Sequence, residues 1–279
     1  LLYLHRGDKV NLYKVVVLDI DDTLLSDSGQ ISDETKDVIQ QIIHRNKITV
    51  VLATGRMFVS AQKIAAELGV EAPIIAYQGA LVKSQSDGRV LYERVVDPAS
   101  VKSIIEYAES KHFHLHIYSK DVLYVKEEND KVRRYSDMHG APYTVIPDFY
   151  ELIESPVSKM LLFEEPETLD QAIRELLPTL KESCYLTKSK PFFLEILHRE
   201  VNKGEALRMF LKDQQCSQSE VLAIGDSWND KELFKAAGFT IAMGNAIEEL
   251  KEAADYVTST NNDDGVRKAL EKFILNVGK

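Results

Sequence analysis

The sequence predicts an α/β fold, a Rossmann-like parallel-sheet core with an inserted α+β cap domain, on three observations. Short, continuously apolar strands alternate with amphipathic helical segments, the pattern of a parallel sheet covered on both faces. Between about Leu81 and Pro191 that rhythm changes, and the strands tend to alternate in polarity as half-solvated antiparallel strands do. The first rhythm then resumes. The expected division is a core in two parts, 1–82 and 191–279, with the cap at 83–190; residues 1–12 read as an extension ahead of the first strong strand.

Element by element, YKVVVLDI (13–20) is a buried strand. DETKDVIQQIIHRN (33–46) follows as a helix with Ser32 as its N-cap. KITVVLATG (47–55) is the second buried strand, FVSAQKIAAELG (58–69) a helix closed by Gly69, and APIIAYQGA (72–80) the third strand. In the inserted part, LHIYSKDVLYV (115–125) reads as a hairpin turning at Lys120 and Asp121. SKMLLFEE, PETLDQAIRELLPTL, SCYLTKS and FFLEILH read as a β-α-β-β unit. The core resumes with helix NKGEALRMFLKDQ (202–214), strand EVLAIGD (220–226), helix DKELFKAAG (230–238), strand TIAMG (240–244) and the helices IEELKEAA and GVRKALEKFIL.

The chain has 279 residues, enough for one large domain or two modest ones. Its formal net charge of −10 argues against nonspecific binding to nucleic acid or an anionic membrane. No apolar run approaches the ~18 residues of a membrane span, and LLYLHRGDKV has the wrong order of apolar and charged residues for a signal peptide. Cys184 and Cys216 are the only cysteines, which fits a reducing cytoplasm and no disulfide framework.

In an open α/β sheet, ligands gather at the carboxyl ends of the strands. The first strand ends in Asp19-Ile20-Asp21-Asp22-Thr23, the second in Thr54-Gly55-Arg56, and a later one in Gly225-Asp226, followed by Asn229-Asp230. An EF-hand reading of the first cluster fails, because Leu24 and Gln30 stand where its Gly and Glu belong. Clustered carboxylates behind buried strands suit a hard divalent cation, most simply Mg²⁺. Lys203 opens a helix capped by Asn202, a place that suits an anion better than an uncompensated lysine. Thr54 and Gly55 offer a hydroxyl and an approachable backbone N–H. An anion pocket beside a metal suggests phosphate. No GxxxxGK[ST] is present, so a P-loop is unsupported, and a carboxylate can instead be the nucleophile, giving an aspartyl-phosphate.

DIDDTLL, ATGR, NKGEAL and GDSWND, in that order, resemble the four motifs of the haloacid dehalogenase superfamily. AMGNAIEELKEAADYVTSTNNDDGV resembles the tail of its Cof-type subfamily, whose members carry a type IIB cap. The resemblance implies that Asp19 is the nucleophile and Asp21 the general acid and then base. It implies that Mg²⁺ is bound by Asp19, the Asp21 backbone carbonyl and Asp226, with Asp230 in support. It implies that phosphate meets the Ile20 backbone, Thr54, Gly55, Lys203 and Asn229. The activity so implied is Mg²⁺-dependent hydrolysis of small phosphomonoesters, sugar phosphates or phosphorylated cofactors, through an aspartyl-phosphate. One departure stands out: Gln78-Gly79-Ala80 replaces the family's common Asn-Gly-Ala.

A sugar phosphomutase is the nearest rival and needs a second phosphate site, with Lys120, Arg133, Arg134, Lys159 and Lys188 as basic candidates on the cap. A phosphorylation-dependent receiver or binding module is the alternative from another class. His112, His114 and His116 fall on one face if they share an extended strand, a metal site at best and a polar strand face by default. Trp228 reads as packing its own loop.

Overall fold

The computed structural model describes residues 12–275; the expected extension at 1–12 lies outside that range except for Leu12. Strands β1 (Val15–Leu18) and β2 (Thr49–Leu52) pair in parallel, joined through helix α1 (Asp33–His44), whose N-cap Ser32 accepts from the Thr35 N–H. Every residue of β1 is buried, as a central parallel strand covered on both faces requires. Helix α2 (Phe58–Leu68) ends at Gly69 in the left-handed region, φ 64°. Strand β3 (Ile74–Ala76) touches the sheet through the Ala53–Ile75 bridge, then runs antiparallel into β4 (Leu81–Lys83) and β5 (Val90–Glu93).

Val96 bridges to Val157 and begins the second sheet's territory. Helix α3 (Pro98–Lys111) is capped by Asp97, with proline in its first turn. Strands β6 (Leu115–Ser119) and β7 (Val122–Val125) form the expected hairpin. Lys120 and Asp121 both have positive φ (51° and 62°), the two-residue turn whose twist matches the strands. Helix α4 (Asp130–His139), β8 (Tyr143–Val145), β9 (Val157–Phe163), helix α5 (Pro166–Leu180), β10 (Cys184–Lys190) and β11 (Phe193–His198) complete a six-stranded sheet, ordered β10-β11-β9-β6-β7-β8. Its central strand β9 is buried on both faces instead of alternating: Met160 and Leu162 pack toward α3 and α5, Leu161 and Phe163 toward the core.

The chain returns through α6 (Lys203–Asp213), β12 (Val221–Gly225), α7 (Lys231–Lys235), β13 (Phe239–Ala242), α8 (Glu248–Ala253), β14 (Tyr256–Val257) and α9 (Gly265–Leu270). The core sheet runs β14-β13-β12-β1-β2, all parallel.

The boundaries read from sequence do not coincide with the sheets. The 82/83 division falls inside β4, which pairs with β3 at the core, and the 190/191 division separates β10 from its partner β11. The change in polarity pattern at Leu81 marks an antiparallel extension of the core, not its exit. We place the crossings near residues 95 and 200.

Candidate active site

Asp19, Thr54 and Asp226 each follow the last residues of a parallel strand, so the sheet itself brings them to one edge. Their backbones continue the ladders: the Asp19 N–H donates to the Ile224 carbonyl, and the Thr54 N–H to that of Ile75. Beyond β1 the chain turns sharply, with Asp22 at φ 60°, which presents Asp19, Asp21 and Asp22 in different directions.

Lys203, at the first turn of α6, is fully buried. Its Nζ donates to Asp19 Oδ1 at 2.5 Å and to Asp230 Oδ1 at 2.7 Å. The other oxygen of Asp230 accepts the backbone N–H groups of Asp226 and Ser227. Gly225 makes this possible, since a Cβ there would meet the Asp230 carboxylate at 2.6 Å. Thr23 Oγ1 donates to Asp226 Oδ1 at 2.7 Å, tying the first motif's loop to the fourth's. Lys203 holds two of three buried acids, so their negative charge exceeds its own. Burial, and then Asp230 and Asp226, push the Asp19 carboxyl well up against the pull of Lys203. Burial, and then Asp230, raise Asp226 to about 7. Burial disfavours charge on Lys203, yet Asp19 and Asp230 outweigh it and keep the ammonium protonated.

One oxygen from each of Asp19, Asp226 and Asp230 lies within 4.8 Å of the others. Three hard oxygen donors carrying uncompensated charge fit a divalent cation. These residues would hold it, and once bound it would offset the repulsion between carboxylates and a phosphoryl group.

Asp21 stands apart from that cluster. Arg56 grips it with both arms of its fork, Nε to Oδ2 at 2.9 Å and Nη2 to Oδ1 at 2.7 Å. Burial raises the Asp21 carboxyl, but the Arg56 bonds and charge outweigh it and hold it below the usual range. This arrangement favours the base form of Asp21. Delivering a proton to a leaving group calls for a looser grip by Arg56.

The phosphate-side residues expected from sequence gather at the same edge, though not all with free groups. Thr54 Oγ1 accepts from the Arg56 N–H, and Asn229 Nδ2 donates to Gln78 Oε1. Asp19, Asp21, Gly55, Asp226 and Asn229 line one cavity of about 40 Å³, with Tyr135, His139, Ser189, Lys190, Phe193 and Glu195 facing them from the cap. A single water needs ~10–15 Å³, so this is space for a few waters. Lys190 closes the rim by an ion pair with Asp22 at 2.7 Å.

Sequence reasoning passed over Arg56, although it stands inside ATGR, and the cap residues, which no motif announces. It misplaced the histidines. His112 ends α3 in the left-handed region, so it is not on the strand and the three do not form a metal site. His114 and His116 bond to each other at 2.9 Å inside the cap. Trp228 is half exposed, at 49%.

A buried carboxylate cluster at the carboxyl edge of a parallel sheet, covered by a second sheet, suits a capped hydrolase. The family model for haloacid dehalogenase-like hydrolases matches residues 16–270. A Bacillus subtilis 5-amino-6-(5-phospho-D-ribitylamino)uracil phosphatase is 28% identical, the match covering 94% of this chain and 98% of that one. The crystal structure of a Thermotoga maritima protein superposes with TM-score 0.83 at 37% identity, covering 93% of this chain and 97% of that one. A subclass IIB sugar phosphatase shares the fold at TM-score 0.82 and 24% identity, covering 93% and 98%. The chain belongs to the haloacid dehalogenase-like hydrolases, and its enzyme class is phosphatase.

Proposed function

We propose that the protein is a Mg²⁺-dependent phosphatase of small phosphomonoesters, sugar phosphates or phosphorylated cofactors, working through an aspartyl-phosphate at Asp19. The observation that carries this reading is the surplus of buried carboxylate around Lys203, a charge pattern that a divalent cation and a phosphoryl group together complete. An Asp19 oxygen attacks phosphorus, the P–O bond to the ester oxygen breaks, and Asp21, protonated once Arg56 loosens its hold, supplies the proton the departing alkoxide needs. Water then attacks the phosphoryl group and gives its proton to Asp21; inorganic phosphate leaves and Asp19 is restored. Lys203 keeps Asp19 aligned and offers charge to the phosphoryl oxygens, with Gly55, Thr54, the Ile20 backbone and Asn229 around them.

The leaving group would lie under the cap, between the aromatic faces of Tyr135, His139 and Phe193 and the polar groups of Ser189 and Lys190. An apolar wall facing hydroxyl and ammonium groups suits a polyol. Of the five phosphomutase candidates, three are paired: Arg133 with Glu128 and Asp130, Lys159 with Glu195, and Lys188 with Asp170. Cys184 and Cys216 are unpaired, and no described helix is long and apolar enough to cross a membrane; we place the enzyme in the cytoplasm. The test is a phosphate-release screen over many metabolites, with and without Mg²⁺, ranked by kcat/KM. Mg²⁺-dependent release that Asp19→Asn abolishes supports the reading. Release by Asp19→Asn at the parent rate overturns it.

A further inference from the structure

Gln78, where the family's common residue is one methylene shorter, sits at the centre of a buried relay between cap and core. It is 2% exposed and lies in the left-handed region, φ 59°, just beyond β3. Its Nε2 donates to Glu195 Oε2 of β11 at 2.7 Å, and its Oε1 accepts from Asn229 Nδ2 at 2.8 Å. Glu195 is held by Lys159 Nζ of β9 at 3.1 Å and Ser189 Oγ at 3.0 Å. Lys159 also donates to the Gly55 carbonyl at 2.7 Å. Gly55 makes room for the relay: a Cβ there would meet Gln78 Nε2 at 2.4 Å.

The directions of these bonds follow from chemistry. An ionised carboxylate only accepts, and an ammonium only donates. Glu195, paired with the Lys159 ammonium, therefore faces the NH₂ end of Gln78. The carbonyl end of Gln78 must then face Asn229, and it demands in turn the NH₂ end of Asn229. Asn229 Oδ1 is left buried without a partner, so nothing on its own side of the amide fixes its orientation. The side chain is oriented from the cap.

We infer that Gln78 is a positioning residue that sets the Asn229 amide only when the cap strand carrying Glu195 is seated, so that cap closure completes the phosphoryl-binding side of the site. This rests on the reading of Asn229 as a group that meets the phosphoryl substrate. With the cap lifted, Gln78 loses its acceptor, the two amides turn freely, and Asn229 no longer has a dictated face. A relay of this kind makes the reacting centre competent only after solvent is excluded.

The test is a double-mutant cycle with Gln78→Met, which keeps bulk over Gly55 and removes both hydrogen bonds, and Asn229→Ala. Loss of both hydrogen bonds in Gln78→Met should lower kcat/KM about ten- to thirtyfold. The loss should be the same for an aryl phosphate and a sugar phosphate, because it arises on the phosphoryl side. In the Asn229→Ala background, Gln78→Met should change kcat/KM less than about twofold. Inhibition by inorganic phosphate should weaken in parallel. Additive losses in the cycle, or a loss confined to one leaving group, with an active parent, would overturn the relay and leave the phosphatase reading standing. A parent that releases no phosphate from any ester would overturn that reading and the relay with it.

Discussion

Lys203 is the residue on which the charge balance of the site turns. Removing an ammonium from between buried carboxylates strands them, and breaking a buried pair by deleting one partner costs ~3–5 kcal/mol. Lys203→Met should lose stability of that order in urea unfolding at neutral pH, and saturating Mg²⁺ should recover part of it, since the cation replaces the lost charge. Unchanged unfolding would remove Lys203 from the charge balance. Asp226→Ala has the complementary effect. Disturbing even the groups that support metal ligands costs ~10–100-fold in affinity, so the Mg²⁺ concentration for half-maximal phosphate release should rise by at least about tenfold. An unshifted Mg²⁺ titration would exclude Asp226 as a ligand. Asp19, Asp226, Asp230 and Lys203 were legible because each stands in a short motif at a strand end or helix start, where local pattern dictates position. Arg56 was printed in the same kind of motif but left without a role, because its partner Asp21 lies 35 residues away. Glu195 and Lys159 were invisible as a pair: the β9–β11 register sets Glu195 opposite Leu161, and Lys159, two residues along the same strand face, reaches it diagonally.

Within the cap, the elements fix a chain of neutral histidines. The Val132 N–H at the start of α4 donates to Asn129 Oδ1, which turns the Asn129 NH₂ toward His114 Nδ1. His114 must therefore carry its proton on Nε2 and donate it to His116 Nε2, and His116 donates from Nδ1 to Tyr118 Oη. Burial, with Lys131 of α4 adding to it, lowers His114 to about 4. Burial, with His114, Lys159 of β9 and His139 of α4 adding to it, lowers His116 well below the usual value. The carboxylate nearby, Glu164, accepts the His114 backbone N–H and pairs with Lys131. Both histidines bind protons in the unfolded chain below about 6.5 and resist them in the folded one. Their contribution is therefore complete above pH 6.5 and is lost as pH falls toward 4. The stability lost is at most ~1.4 kcal/mol per pH unit per histidine. Urea unfolding from pH 7.5 to 4.5 should show this decline, and His116→Phe should flatten it; an equal slope in the variant would contradict the assignment. The hairpin at Lys120–Asp121 was readable from its alternation. α3 and α4 were not read, although Asp97-Pro98 and Asn129 are good start signals, because the alternating strands on either side drew the whole stretch toward a sheet.

At the scale of the molecule, one sheet supplies the chemistry and the other the enclosure. The parallel core was legible because strands buried on both faces read as continuous apolar runs. The exact crossings were not, because β4 and β5 are antiparallel strands of the core and resemble the cap in pattern. In the mechanism proposed above, Asp19 becomes phosphorylated and Asp21 serves both the departing alcohol and the entering water. Asp21→Asn separates the two halves, since p-nitrophenolate leaves without protonation whereas a sugar alkoxide does not, and general acid–base help is worth ~10²–10⁴-fold. The most direct measurement is rapid mixing of Mg²⁺-saturated Asp21→Asn with p-nitrophenyl phosphate, followed by acid quench and peptide mass analysis. The variant is first shown to fold and bind metal. The expected result is a burst of p-nitrophenol approaching one equivalent per site, slow turnover after it, one phosphoryl group on the peptide that carries Asp19, and little such product from a sugar phosphate. No burst, equal slowing with both esters, or a phosphoryl group on any other residue would contradict it.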